Sequence, residues 1–182
     1  MIKTVVPFVH SILDERLQKD HITIDATIGN GNDTLFLAQR TQKVYGFDVQ
    51  ENALTQTENL LSQHELTNYE LILDSHEFIS NHISEPIDCA MFNLGYLPGD
   101  NKHITTTPGS TIKALEACIT LLNKKGIITV TVYTGHDEGK VESEVLLQYV
   151  TTLSSRNFTV LKYEFINKNN SPYVLLIEKI KN

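Results

Sequence analysis

The chain has 182 residues, 41% of them hydrophobic and 20% charged, with 9 Gly and 5 Pro, which excludes a disordered, collagenous or low-complexity protein and suits one well-buried domain spanning 1–182. Its formal charge is −7, from 15 Lys+Arg against 22 Asp+Glu, so bulk attraction to a polyanion is not its activity and a nucleic-acid partner must be recognised by shape or in a pocket. Cys89 and Cys118 lie in apolar surroundings without CxxC spacing and read as reduced core residues; the N-terminus lacks a basic and apolar leader, and no run nears the roughly 18 apolar residues of a membrane span, so a cytoplasmic protein with no membrane partner is expected.

Taken in order, Thr4 to Leu17 places Val5, Val9, Ile12, Leu13 and Leu17 at helical spacing, with Pro7 tolerable in the first turn, and predicts a lead-in helix. Short apolar strands follow at 22–26, 43–48, 69–74, 87–93 and 126–133, separated by helical patterns at 34–40, 52–64, 77–82 and 110–122. A last helix over 142–153 precedes an antiparallel strand pair at 158–165 and 173–180. Strands alternating with helices need crossover connections, so the fold class is α/β, with a mainly parallel sheet covered on both faces. In such sheets ligands bind beyond the carboxyl ends of the strands, where strand order reverses. Asp25, Asp48, Asp74 and Asn93 each close one of the first four strands.

The most informative segment is Asp25-Ala-Thr-Ile-Gly-Asn-Gly-Asn-Asp-Thr34, a strand that breaks into a Gly-x-Gly turn and opens a helix. Gly29 and Gly31 let a ligand approach the backbone. The Gly-Lys-Ser/Thr ending of an NTPase loop is absent, and so is the third glycine of the dinucleotide fingerprint. Asp48, about 20 residues on, suits a pair of ribose hydroxyls, a geometry that serves NAD and S-adenosylmethionine alike. The shorter turn favours the second, which carries no pyrophosphate. Asn30 and Asn32 can donate to the methionine carboxylate of such a donor and Asp33 can accept from its ammonium group; Gln50 borders the adenosine, and Ser75 and His76 sit where adenine is read. No His, Cys, Asp and Glu cluster has metal-ligand spacing, and no GxSxG nucleophile turn is present, so neither a metal nor hydrolase chemistry is expected.

The blocks Asp25 to Ala38, Gly46-Phe-Asp-Val-Gln50, Asn93-Leu-Gly-Tyr-Leu-Pro-Gly-Asp100, Tyr133-Thr-Gly-His136 and Phe165 to Pro172 occur in the order in which they stand in a small family of class I methyltransferases, long labelled rRNA methylases (YtqB-like). The chain resembles that family, whose characterised members are MnmM-type tRNA methyltransferases. The resemblance implies a Rossmann-like seven-stranded sheet, S-adenosylmethionine as cofactor, and as acceptor the primary amine of 5-aminomethyl-2-thiouridine at the wobble position of the tRNA anticodon loop. It also points to a homodimer. Asn93 and Tyr96 stand where related amine methyltransferases carry an Asn/Asp-Pro-Pro-aromatic motif that orients the acceptor nitrogen; the aromatic is kept here and the first proline is not. Asp100, His103, Thr105 and His136 are candidates for contact with the substrate, and Lys102, Lys140 and Lys168 add nearby positive charge. The long connection over 95–107 predicts one wall of the acceptor pocket. Two other readings stay open: the same donor with an rRNA or small-amine acceptor, and a nucleotide- or NAD-binding module that performs no chemistry.

Overall fold

The computed structural model describes residues 1–94, 107–135 and 137–181, with 137 and 138 by their backbone alone. The lead-in helix is α1 (Val5–Arg16), in which Pro7 lies in the first turn, where a missing N–H breaks no helical hydrogen bond. It buries Val5, Val9 and Leu13 and leaves His10 at the rim. Tyr163, on the last strand but one, stacks on Phe8 at 3.8 Å and donates its hydroxyl to the Lys3 carbonyl at 2.7 Å, tying the start of α1 to the sheet.

The chain then alternates as expected: β1 (Ile22–Asp25), α2 (Asn32–Ala38), β2 (Lys43–Asp48), α3 (Glu51–Gln63), β3 (Tyr69–Leu73), α4 (Ile79–His82), β4 (Ile87–Asn93), α5 (Pro108–Leu121), β5 (Leu122–Val132), α6 (Asp137–Thr152), β6 (Phe158–Tyr163) and β7 (Tyr173–Lys179). The seven strands form one sheet in the order β3-β2-β1-β4-β5-β7-β6. Strands β1 to β5 run parallel, and β7 runs antiparallel to both β5 and β6. The fold is the α/β Rossmann-like architecture of class I methyltransferases, with its N-terminal helix.

Two local features depart from the sequence-based expectation. Residues 76–78 form a 3-10 turn, capped by the Ser75 hydroxyl accepting from the Glu77 amide, before a single turn of α4. β5 starts at Leu122, four residues before Gly126: Leu122 pairs with Ile87 on β4, the register shifts, and the ladder resumes at Ile127 opposite Cys89. Asn123 to Lys125 are partly or fully exposed, and Lys125 has φ 68°, so this polar stretch has no strand-like pattern to read. The terminal antiparallel pair completes the expected seven-stranded sheet, with β7 inserted between β5 and β6.

Two apolar cores flank the sheet. One packs Phe47, Phe92, Leu115, Cys118 and Leu146 under α4, α5 and α6; the other packs Val9, Leu13, Leu37, Leu61, Cys89 and Met91 under α1, α2 and α3. Both cysteines are fully buried and reduced, and burial pushes both thiols far above their ordinary range. The chain winds outward from β1 through β2 to β3, then returns to β4 on the other side of β1. The gap between the carboxyl ends of β1 and β4 is therefore the crevice at which strand order reverses.

Candidate functional site

The turn leaving β1 is built by its own residues. Gly29 (φ 53°) and Gly31 (φ 76°) are left-handed, a region in which an L side chain is strained. At Gly31 a second constraint acts: a Cβ would run into the Thr57 hydroxyl and lie 3.0 Å from both Thr57 Cβ and Cγ2. The missing side chain thus admits α3 against the turn, as well as permitting the backbone angle. Asp25 is 1% exposed; its carboxylate accepts from the Thr34 hydroxyl at 2.6 Å and from the Thr27 amide at 3.1 Å, bracing both sides of the turn. Burial first, then the negative charge of Asp33, raises its pKa to about 7.

At the end of β2, Asp48 accepts from the Gly29 amide through one oxygen and from the Gln50 amide through the other, each at 3.0 Å. The carboxylate therefore holds the glycine turn beside the start of α3. Each oxygen keeps a further lone pair, and the residue is only partly buried, so the group fits a vicinal diol. Asn30 and Asn32 are exposed on the turn, and Ser75 caps the 3-10 turn beyond β3. His76 is 7% exposed; its Nδ1 pairs with the Ala26 carbonyl at 3.1 Å, and its ring meets Phe92 edge-on. A carbonyl can only accept, so Nδ1 carries the hydrogen and buried Nε2 presents a lone pair with no protein partner. Burial lowers its pKa and keeps the ring neutral.

A second cluster lies across the crevice. The Asn93 amide N–H donates to the Thr27 hydroxyl at 2.7 Å, joining the end of β4 to the exit of β1. Its side-chain Nδ2 donates to Asp33 Oδ2 at 3.3 Å, and its buried Oδ1 has no partner. The other oxygen of Asp33 is held by His10 Nε2 at 2.7 Å, and the His10 ring stacks on Phe36 at 4.0 Å. Tyr133, just past β5, faces the same group: burial and then the charge of Asp33 raise its pKa, while a hydrogen bond with Asn93 lowers it.

The structure thus brings Asp25, Gly29, Asn30, Gly31, Asn32, Asp33, Asp48, Gln50 and Asn93 to one end of the sheet, with Ser75 and His76 following β3 at the same end. Asp33 faces His10 and Asn93, a placement the sequence did not suggest. Tyr96, Asp100, His103, Thr105 and His136 lie outside the described residues. Sequence reasoning missed His10 and gave Tyr133 no role. No spacing rule joins residue 10 to residue 33 across a strand; the available signal was a histidine beside the apolar stripe of the lead-in helix. Among the described residues, no group of three His, Cys, Asp or Glu is arranged to hold a metal, and no helix is long and apolar enough to cross a membrane.

Comparison with known proteins places this geometry in context. The family model described as "Putative rRNA methylase" matches residues 44–179. A curated relative, the chloroplastic tRNA (mnm(5)s(2)U34)-methyltransferase of Arabidopsis thaliana, is 32% identical over 194 residues, covering 99% of this chain and 71% of the relative. A crystal structure described as a "putative rRNA-methylase" from Clostridium thermocellum superposes with TM-score 0.96 at 38% identity, covering 99% of this chain and all of that one. A "putative methyltransferase" of Streptococcus mutans, solved in complex with SAH, superposes with TM-score 0.93 at 42% identity, covering 98% and 99% of the two chains. By family match, sequence identity and fold, the chain belongs to the rRNA/tRNA methylase family of class I S-adenosylmethionine-dependent methyltransferases.

Proposed function

We propose that the protein transfers a methyl group from S-adenosylmethionine to the primary amine of 5-aminomethyl-2-thiouridine at the wobble position of tRNA, giving 5-methylaminomethyl-2-thiouridine. The observation that carries this reading is the pairing of Asp33 with Asn93, whose Oδ1 is buried without a partner at the topological switch. A carbonyl acceptor beside a carboxylate suits a nitrogen that carries hydrogens and becomes positive as it is methylated. The likeness to the Arabidopsis thaliana enzyme over nearly the whole chain supports the same acceptor.

The residues present fit the donor. Asn30 and Asn32, exposed on the glycine turn, offer donors for its methionine end, and Asp48 with Gln50 offers acceptors for its ribose; Ser75 and His76 follow the next strand end, toward the adenine. Bound S-adenosylmethionine supplies an electrophilic methyl group on a sulfonium. For the acceptor, Asn93 Oδ1 accepts an N–H hydrogen and so turns the nitrogen lone pair toward the methyl group. Displacement at a sulfonium depends on that alignment more than on a strong acid or base. The nitrogen lone pair forms the new N–C bond, the S–C bonding pair stays on sulfur, and the surplus N–H proton leaves to water. Tyr96, Asp100, His103, Thr105 and His136 are assigned to the acceptor side, the anticodon loop is the macromolecular partner, and a cytoplasmic homodimer pools two such surfaces.

The test is nucleoside mass spectrometry of tRNA carrying 5-aminomethyl-2-thiouridine after incubation with the protein and S-adenosylmethionine. A gain of one methyl on that nucleoside is expected, with Asn93→Ala lowering turnover far more than donor affinity. Donor binding without that gain would overturn the acceptor and turn the search to rRNA or small amines.

A further inference from the structure

We infer that His10, on the lead-in helix outside the sheet, is a positioning residue for the acceptor half of the reaction, holding Asp33 so that its negative charge and its second oxygen serve Asn93 and the nitrogen being methylated. The inference rests on the amine acceptor proposed above and assigns a role to a helix that the donor site does not use.

The chain of contacts is continuous. His10 Nε2 lies 2.7 Å from Asp33 Oδ1, Asp33 Oδ2 lies 3.3 Å from Asn93 Nδ2, and Asn93 Oδ1 is left buried and unpartnered. A carboxylate only accepts, so Nε2 must carry a hydrogen in this pair. With Asp33 drawing the Asn93 amide nitrogen to one side, the carbonyl end of that side chain is left for the substrate. His10 is itself held: its ring stacks on Phe36 at 4.0 Å with an interplanar angle of 10°. Phe36 is 9% exposed and packs in the core beside Val9 and Leu13, so the imidazole is placed by the same packing that docks α1.

Charge gives the arrangement a consequence for rate. Methyl transfer moves positive charge from the donor sulfur to the acceptor nitrogen, and a fixed carboxylate beside that nitrogen favours the transition state over the ground state. His10, donating through Nε2 to Oδ1, orients the carboxylate that carries this charge. Among the described residues, a small set of groups faces His10. Asp33 comes from the first turn of α2, and Arg40, two residues beyond that helix, has its guanidinium carbon 3.9 Å from the centroid of the same Phe36 ring. Asp14, one turn along α1, is paired with Arg40 at 2.6 Å, and Tyr133 beyond β5 interacts with Asp33. The faces of β5 and β7 under α1 are apolar there, with Ile127, Val174 and Leu176 in the core, and Glu178 is paired with Arg16 at the far end of the helix.

The experiment measures single-turnover methylation of tRNA carrying the aminomethyl nucleoside, at one fixed pH, for wild type, His10→Ala and His10→Gln, with donor affinity by calorimetry and melting temperature for each. His10→Ala should be slower by about ten- to a hundredfold at neutral pH, the range expected when one charge-assisted hydrogen bond to a catalytic group is removed. Donor affinity should stay within about twofold, since the glycine turn, Asp48 and Gln50 are held by their own hydrogen bonds and not by His10. His10→Gln, whose amide can still donate to Asp33, should recover part of the rate. Unchanged rate in both variants would overturn the inference alone, as would a loss of rate matched by an equal loss of donor affinity. Absence of methylation by wild type would overturn the acceptor reading instead, and this inference with it.

Discussion

Replacing Gly31 by alanine loads the turn with two separable costs. The backbone there has φ 76°, and an L side chain in the left-handed region costs about 1–2 kcal/mol. The new methyl group would also press into Thr57, which is fully buried on α3 and so has no solvent to turn toward. Forcing an extra methyl into such a contact costs about 1–3 kcal/mol, bringing the expected loss to about 2–5 kcal/mol, a large part of the roughly 5–15 kcal/mol by which a protein of this kind is stable. Urea unfolding of wild type, Gly31→Ala, Thr57→Ala and the double variant separates the two. In the Thr57→Ala background the methyl group has room, and the Gly31→Ala penalty should fall to the backbone part alone, about 1–2 kcal/mol. An equal penalty in both backgrounds would refute the close approach of α3 as the reason for glycine. A total below about 1 kcal/mol would refute the left-handed strain as well.

Further outcomes follow from single groups. Thr57→Val keeps the shape while removing a buried hydroxyl with no partner, so urea unfolding should show equal or greater stability, by about 1 kcal/mol; a clear loss would mean that the hydroxyl is satisfied. Asp25 has a pKa raised from 3.8 to about 7 in the fold, so the folded state prefers its protonated form. Its contribution is favourable below about pH 4 and is lost as pH rises toward 7, and Asp25→Asn, which can keep both hydrogen bonds, should gain melting temperature over wild type progressively across that window. A difference that stays constant from pH 4 to 8 would sink that account. Asp48→Ala should weaken calorimetric donor binding by removing both the diol acceptor and the brace on Gly29, whereas Asp48→Asn should keep part of the brace and bind in between. Equal binding by all three proteins would remove Asp48 from the donor site.

Much of the site was legible because its signals are local. Gly29 and Gly31 mark a turn whose backbone angles are left-handed, and Asp48 follows one strand later, where an acidic residue at a strand end has a known use. Thr107 reads as a helix cap followed by Pro108, and the structure shows a capping box between Thr107 and Ser110. Other roles were not local. Asp25 closes β1 where a ligand is expected, and that its oxygens accept from Thr27 and Thr34 could not be read from the sequence, because the turn that brings those donors to the carboxylate exists only in the fold. Gly31 looked like room for a ligand, and part of that room is filled by Thr57, 26 positions along the chain and invisible to any spacing rule.

Sequence alone determined the alternation of strands and helices, the polar residues that end the strands, and the family motifs in their order, since each rests on periodicity or on a contiguous block. Only the tertiary structure decided that β7 inserts between β5 and β6, that β5 starts early through a pairing of Leu122 with Ile87, and that His10, Asp33 and Asn93 meet. Those three residues come from a helix before the sheet, a helix after its first strand, and the end of its fourth strand. What joins them is the reversal of strand order between β1 and β4 together with the packing of α1 beside α2, and neither is written in any short stretch of the chain.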